Sequence, residues 1–313
     1  MSICILGCGY VGLQLALEFQ KKLQVYCVDI NETRIQEYKN GIDNTGIVEE
    51  LKAKSIFSQI VFESDINRLP TSTGIDTYIV CVPTPIDKNK KPDIKALKSA
   101  TKSIKNRLKK NDLVVFESTV APFTTEKVCI PILEESNLKC GEDFFVGYSP
   151  ERLKPSLKNS VKLTDTVKLV SGNDYNSFNR TFALYNLILP HKKLFSCNIV
   201  TAETAKLLEN IKRDVNIALM NQFKLICDKK GIDFDNVLKA ASTKEEFNHA
   251  SYSYGMVGGH CIGIDPYYMI DFYKDLNIPP EKDLIQTARD INETVPLQVA
   301  DLFINILYTK KRI

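Results

Sequence analysis

Short apolar runs and amphipathic stretches alternate along the first half of the chain. The runs are Ile3–Leu6, Val25–Val28, Tyr78–Val82, Leu113–Phe116, Phe144–Gly147 and Val167–Val170. Each has the length of a buried strand. Helical spacing lies between several of them, at Gly12–Lys21, Asn31–Tyr38, Asp93–Leu108 and Thr124–Glu135. This alternation predicts an α/β domain, a parallel sheet wrapped by helices. Asn31 reads as the N-cap of its helix. Beyond residue 198 the pattern changes. From Thr201 to Lys230 there is neither Gly nor Pro, and Leu207, Leu208, Ile211, Val215, Ala218 and Leu219 recur at helical spacing. One helix of about 45 Å is expected there. Shorter helices follow at Phe234–Ala241 and Pro266–Leu276, and another at Pro280–Tyr308. Residues 1–198 are thus expected to form one domain and residues 199–313 a second, mostly helical one.

Composition narrows the class. The chain has 313 residues, enough for two cores, with 41 Lys+Arg against 38 Asp+Glu for a net charge of +3. Such a balance points away from nucleic acid and from an anionic membrane as partners. No apolar run reaches spanning length, and the opening MSICIL lacks the parts of a signal peptide. The nine cysteines include no CxxC pair, so neither a metal site nor a disulfide ladder is expected. A reducing cytoplasm fits this usage.

The first run opens into Gly7-x-Gly9-x-x-Gly12, directly after a strand and directly before an apolar helix, and Asp29 ends the next strand, "VYCVD". That is the context of a Rossmann-like dinucleotide fingerprint, in a doubly wound sheet. Gly7 permits the tight turn, Gly9 lets a pyrophosphate approach the helix N-terminus, and Gly12 lets helix and strand pack. Asp29 would bind the ribose and repel a 2′-phosphate, which favours NAD over NADP. Cys4, Cys8, Cys27 and Cys81 fall in or beside core strands and read as packing. The strand ends "VCVPTP", "VVFESTVAP" and "YSPERL" bring Thr84, Ser118, Thr119 and Glu151 to the sheet edge where such folds bind ligands. Turn capping explains the hydroxyls equally well.

On the long helix Lys206 and Asn210 share a face, with Glu203, Arg213 and Asp214 extending it. Spacing alone favours a solvated face. The other reading is an active-site lysine with a partner asparagine that orients water or an oxyanion. In "GMVGGHCIGID" four glycines and His260 surround Cys261, and Asp265 follows. Either Cys261 is a small core thiol beside a turn, or it is a nucleophile on a loop that a ligand must approach. With NAD as hydride acceptor, a thiol can convert an aldehyde through a thiohemiacetal and a thioester into a carboxylate.

The motifs "GCGYVG", "CVPTP", "ESTV", "SPERL", "AETAKLLENIKRDVNIALMN" and "GGHCIGIDPYY" occur in this order. Together they resemble the UDP-glucose/GDP-mannose dehydrogenase family, which oxidises C6 of nucleotide sugars to uronic acids with NAD. "SPER" and "GGHCIGIDPYY" resemble the branch acting on UDP-N-acetylhexosamines. The UDP-glucose branch usually has Lys before the Asp of the cysteine loop, where this chain has Ile264. The resemblance implies Cys261 as nucleophile, Lys206 and Asn210 at the oxyanion, Asp265 orienting water or the lysine, and Glu151 and Thr119 holding the hydrolytic water. It implies an NAD site of Gly7, Gly9, Tyr10, Val11, Gly12, Asp29, Arg34, Thr84, Ser118 and Thr119. It implies UDP-sugar contacts from Glu151, Arg152, Leu153, Lys206, Asn210, Gly258 and His260, and a homodimer through the helical domain. Departures from the family are Tyr254 where Pro is usual, and Lys154, Pro155 and Ser156 where Asn-Pro-Gly is usual. Family members continue into a third, UDP-binding domain, expected to be absent from these 313 residues. That leaves a non-catalytic NAD-binding dimeric remnant, or a UDP-glucose 6-dehydrogenase, as the alternatives.

Overall fold

The computed structural model describes residues 1–48, 50–152, 163, 166–245, 252–259 and 261–310. The chain divides into two compact units, Met1–Asp87 with Pro92–Lys206, and Lys88–Lys91 with Leu207–Ile313. The first unit runs β1 (Ser2–Leu6), α1 (Tyr10–Phe19), β2 (Gln24–Val28), α2 (Glu32–Lys39), α3 (Glu50–Phe57), β3 (Ile60–Glu63), β4 (Ile75–Val80), α4 (Lys95–Lys105), β5 (Leu113–Phe116), α5 (Ile130–Glu134), β6 (Phe145–Tyr148), β7 (Lys168–Gly172), α6 (Tyr175–Asn186) and β8 (Leu194–Ser196). These strands form one sheet in the order β3-β2-β1-β4-β5-β6-β7-β8. The direction of winding reverses between β1 and β4, which opens a crevice at their carboxyl ends. Both sheet faces are covered. Ile3 and Ile5 of β1 enter one core while Cys4 and Leu6 enter the other, and all four are buried. This is why the strands read as continuous apolar runs.

Three expectations change. The sheet is parallel except at β6–β7, which pair antiparallel through Gly147↔Gly172 and Tyr148↔Ser171. An antiparallel strand starts at the edge where its partner ends, so β7 begins at the edge where β6 ends. Strands β3 and β8 did not stand out as apolar runs, because β3 exposes Val61 and ends in Glu63 and β8 has three residues with Phe195 and Ser196 exposed. The helix expected over Thr124–Glu135 is a π-helical turn, Thr125–Cys129, followed by α5. Pro131 has no N–H for the Lys127 carbonyl and its ring crowds that oxygen, so the turn widens.

Helix α7 (Ile199–Lys230) crosses the division between the units, which falls after Lys206. The second unit continues with α8 (Phe234–Ala241), α9 (Asp265–Tyr273) and α10 (Leu284–Lys310). Asp283 starts α10 later than expected, because its carboxylate accepts the Gln286 N–H at 3.0 Å and caps the helix.

The polar face of α7 is not solvated. Glu203, Lys206, Asn210, Asp214 and Asn221 are all buried, whereas Leu208 and Leu219 are 63% and 45% exposed. A buried polar atom without a partner costs about 1–3 kcal/mol, so these side chains dictate local structure. Glu203 accepts the Phe123 N–H at 2.7 Å and the Thr125 N–H at 2.9 Å. It thereby holds Phe123 in the left-handed region, at φ +69°, and anchors the loop that follows Thr119.

Burial outweighs these hydrogen bonds and pushes the Glu203 carboxyl from the ordinary 4.5 up to about 7. Between those values the folded protein holds a proton that the unfolded chain has released. Stability from Glu203 is therefore full below pH 4.5 and falls as pH rises to 7. Denaturant unfolding should show wild type losing roughly 3 kcal/mol relative to Glu203→Gln over that interval; a constant difference would contradict the protonated state. Gly12→Ala gives a second check, since its Cβ would lie 1.9 Å from the Gly7 carbonyl oxygen. Overpacking of this kind should destabilise by about 1–3 kcal/mol, read as a lower unfolding midpoint.

Candidate functional site

In the first unit the fingerprint glycines have different reasons. Gly7 has φ +93°, and a Cβ there would lie 2.7 Å from the Cys81 carbonyl oxygen. Gly12 meets Gly7 as described. Gly9, in contrast, has ordinary backbone angles and nothing within 4 Å of its would-be Cβ. It is also the N-cap of α1 and makes no side-chain cap hydrogen bond. The open space in front of exposed helix N–H groups is a cradle for a pyrophosphate.

Asp29 directly follows β2 and is buried. One oxygen accepts the Cys8 N–H at 2.8 Å and the Arg34 guanidinium at 2.9 Å, and the other accepts the Asn31 N–H at 2.9 Å. Tyr38 donates to the Cys8 carbonyl at 2.9 Å, so the Cys8 peptide is gripped from both sides. Arg34 is drawn into this grip by its ion pair with Asp29. Asn31 caps α2 as expected, accepting the Arg34 N–H at 3.0 Å. Tyr10 keeps its hydroxyl buried without a hydrogen-bond partner among the described residues. Cys4, Cys8 and Cys27 are buried and Cys81 half-buried, as packing residues should be.

The strand-end hydroxyls staple neighbouring loops. Thr84 donates to the Thr119 carbonyl and Ser118 to the Val82 carbonyl, both at 2.7 Å. Their hydrogens serve the turn. Val11, Leu15, Glu117, Glu151, Arg152 and Lys168 line a cleft in this unit. The Arg152 guanidinium donates to the Val167 carbonyl at 2.7 Å.

Sequence reasoning missed the floor of that cleft. Glu117 and Lys168 form a buried ion pair at 2.7 Å, Tyr185 donates to the same carboxylate, and Lys168 also reaches the Ser149 carbonyl at 3.3 Å. The signal was present as charges at strand ends, Glu117 after "VVF" and Lys168 before "LVSG". Leu153 and His260 lie outside the described residues, as do Lys154, Pro155 and Ser156.

Lys206 is 5% exposed and makes no hydrogen bond or ion pair among the described residues. One turn later the Asn210 amide donates to the Asp265 carboxylate at 2.5 Å. Asp265 is the first residue of α9, and its N–H donates to the Cys261 carbonyl at 2.9 Å, beside Ile264 N–H at 3.1 Å. The Cys261 side chain is exposed. A buried core thiol is thereby excluded. In the loop before it, Gly255 and Gly259 have φ +133° and +87°, while Gly258 and Gly263 have no Cβ neighbour within 4 Å. The first pair supplies backbone angles and the second pair leaves free space. Cys261, Asn210, Asp265 and Gly258 all belong to the second unit.

Residues 1–188 match the NAD-binding domain of the UDP-glucose/GDP-mannose dehydrogenase family, and residues 200–294 match its central domain. A UDP-N-acetyl-D-glucosamine 6-dehydrogenase of Pseudomonas aeruginosa is 40% identical, over 99% of this chain and 72% of its own length. Protein CapL of Staphylococcus aureus is 42% identical over 96% of this chain and 68% of its own. The solved UDP-D-ManNAc dehydrogenase of Pyrococcus horikoshii superposes with a TM-score of 0.86 at 31% identity, covering 99% of this chain and 72% of that one. A nucleotide cradle at Gly9, a gripped Asp29 and an exposed Cys261 ahead of a helix agree with these matches: the chain belongs to the UDP-glucose/GDP-mannose dehydrogenase family.

Proposed function

We propose that the protein oxidises the C6 alcohol of a UDP-N-acetylhexosamine to the carboxylate, with Cys261 as nucleophile. The observation that carries this reading is the exposed thiol whose own carbonyl is fixed at the start of α9, next to the Asn210–Asp265 bond. NAD, when bound, supplies the hydride acceptor for both oxidations. The residues that would hold it are Gly7, Gly9, Tyr10, Val11, Gly12, Asp29, Arg34, Thr84, Ser118 and Thr119. In the first oxidation the alcohol loses a hydride and a proton and becomes an aldehyde. The Cys261 thiolate then adds to the aldehyde carbon, and the alkoxide takes a proton to give a thiohemiacetal. Loss of a second hydride and of the hydroxyl proton leaves a thioester, and water cleaves its C–S bond to release carboxylate, a proton and the thiol.

Lys206, buried and without a described counter-ion, offers a cation to the oxyanion of the addition and hydrolysis steps. Asn210 adds an amide donor, held by Asp265. Glu151 and Thr119 are assigned to the hydrolytic water, and Arg152, Leu153, Gly258 and His260 to the nucleotide sugar. Relatives named for UDP-N-acetyl-D-glucosamine and UDP-N-acetyl-D-mannosamine, at 40% and 32% identity, support the N-acetylhexosamine class. Ile264 supports it too, standing where the UDP-glucose branch usually carries Lys. We also assign a homodimer. Leu208, Leu219, Phe223 and Ile226 of α7 and Phe303 and Leu307 of α10 are exposed apolar side chains, a pattern that suits burial by a second copy. All nine cysteines are free thiols, which suits a reducing cytoplasm. Among the described residues no helix is long and apolar enough to cross a membrane.

Cys261→Ser should keep its fold and its NAD affinity, since the side chain is exposed on a loop. NADH formation with a UDP-N-acetylhexosamine should fall by about 10³-fold or more, because a hydroxyl is far less ionised than a thiol near neutral pH. Turnover near the wild-type rate would remove Cys261 from the mechanism. Fluorescence titration should give tighter binding of NAD than of NADP, and Asp29→Ala should narrow the gap; equal affinities in wild type would remove Asp29 from its role. Light scattering at micromolar concentration should report twice the chain mass, and a monomer would contradict the assigned interface.

A further inference from the structure

We infer that Asn221 is a positioning residue for Cys261: together with Asn210 it pins both ends of the cysteine loop to one face of α7. The inference rests on the reading of Cys261 as nucleophile, and it assigns a role to a residue far from the thiol in sequence. The Asn221 carboxamide oxygen accepts the Gly255 N–H at 2.7 Å, and its NH₂ donates to the Gly255 carbonyl at 3.1 Å. One side chain thus holds both polar groups of one peptide residue, at the first glycine of the loop. At the far end Asn210 holds Asp265, whose N–H holds the Cys261 carbonyl. Asn210 and Asn221 are eleven residues apart, which is about three turns and about 16 Å along one helix face. Among the described residues between the two clamps, Met256 is 61% exposed and the would-be Cβ atoms of Gly258 and Gly259 meet nothing within 4 Å. The contacts at Gly255 and Asp265 therefore bear on the position of the thiol.

The orientation of the Asn221 amide is fixed by a chain of partners that starts at a charge. The Asp214 carboxylate, paired with Arg289 at 2.6 Å, can only accept. Asn292 must then turn its NH₂ to Asp214, donating to the side chain at 2.8 Å and to the carbonyl at 2.9 Å. Its oxygen is left to accept from Asn221 at 2.9 Å. That donation leaves the Asn221 oxygen for the Gly255 N–H. All of these groups but Gly255 are at least nine-tenths buried, so an inverted amide anywhere in the chain would oppose like partners without water to relieve it. Gly255 itself, at φ +133°, has a conformation that other residues rarely adopt. The clamp gives that conformation its stabilising partners.

The test uses the full chain with Asn221→Asp and Asn221→Ala. The aspartate keeps an acceptor for Gly255 N–H but places a second acceptor against the Gly255 carbonyl; the alanine removes both contacts. We expect kcat about 100-fold lower in each, the scale of an ångström-level misplacement, with KM and NAD affinity little changed. Amide hydrogen exchange over residues 255–259 should accelerate while α1 keeps its protection. The carboxyl of Asn221→Asp, flanked by carbonyl oxygens, regains a proton and hence a donor at low pH. Its kcat relative to wild type should therefore rise as pH falls, a recovery that general loss of stability would not give. If the alanine protein fails to fold, the aspartate protein carries the comparison. Wild-type kcat, or unchanged loop exchange, in the aspartate protein overturns the clamp even where Cys261→Ser is inactive. An active Cys261→Ser protein overturns the nucleophile instead, and the clamp then stands or falls on loop exchange alone.

Discussion

A helix that buries five polar side chains along one face has to satisfy them within the fold or with a ligand, because bulk water does not reach them. In α7 those side chains are Glu203, Lys206, Asn210, Asp214 and Asn221. Glu203 takes two backbone N–H groups of the loop after Thr119. Asn210 takes Asp265, Asp214 takes Arg289 and Asn292, and Asn221 takes Gly255. Among the described residues Lys206 is left with no hydrogen bond or ion pair. The cost of an unmet polar group thus fixes loops that have few apolar contacts of their own.

The same requirement explains how an exposed thiol can sit on a glycine-rich loop that is anchored at its ends. Glycines give the backbone its unusual angles at Gly255 and Gly259 and leave space at Gly258 and Gly263. That freedom would cost orientation if nothing else held the loop. The asparagine contacts at Gly255 and Asp265 restore order at the ends, while the thiol stays exposed. In the first unit the arrangement is the reverse. Gly7 and Gly12 are forced by close backbone contacts, Asp29 is held by three donors, and of the three fingerprint glycines only Gly9 faces open space. In each unit hydrogen bonds fix the backbone on either side of a glycine that has open space before it.

Much of this was legible in the sequence. The glycine spacing and Asp29 announced a nucleotide site, because each glycine answers a local steric demand that a sequence displays. The α/β order was readable for a similar reason, since strands covered on both faces become uniformly apolar. The polar stripe of α7 was misleading. Helical periodicity reports which residues share a face but not whether that face meets water, and here spacing alone favoured solvent. The antiparallel turn of β7 and the Glu117–Lys168 pair depend on which strands become neighbours, and local pattern does not carry that information. Asn221 was invisible in the same way, because its partner Gly255 lies 34 residues further on.

If Cys261 carries the covalent chemistry, stoichiometric alkylation must stop the reaction at that residue. Iodoacetamide is added in steps to the native protein, modification of each cysteine is read by peptide mass, and NADH formation with a UDP-N-acetylhexosamine is measured at each step. Activity should fall in proportion to modification of Cys261 while the buried Cys4, Cys8 and Cys27 remain unmodified, and bound nucleotide sugar should slow both losses together. Full modification of Cys261 with turnover intact would contradict that role.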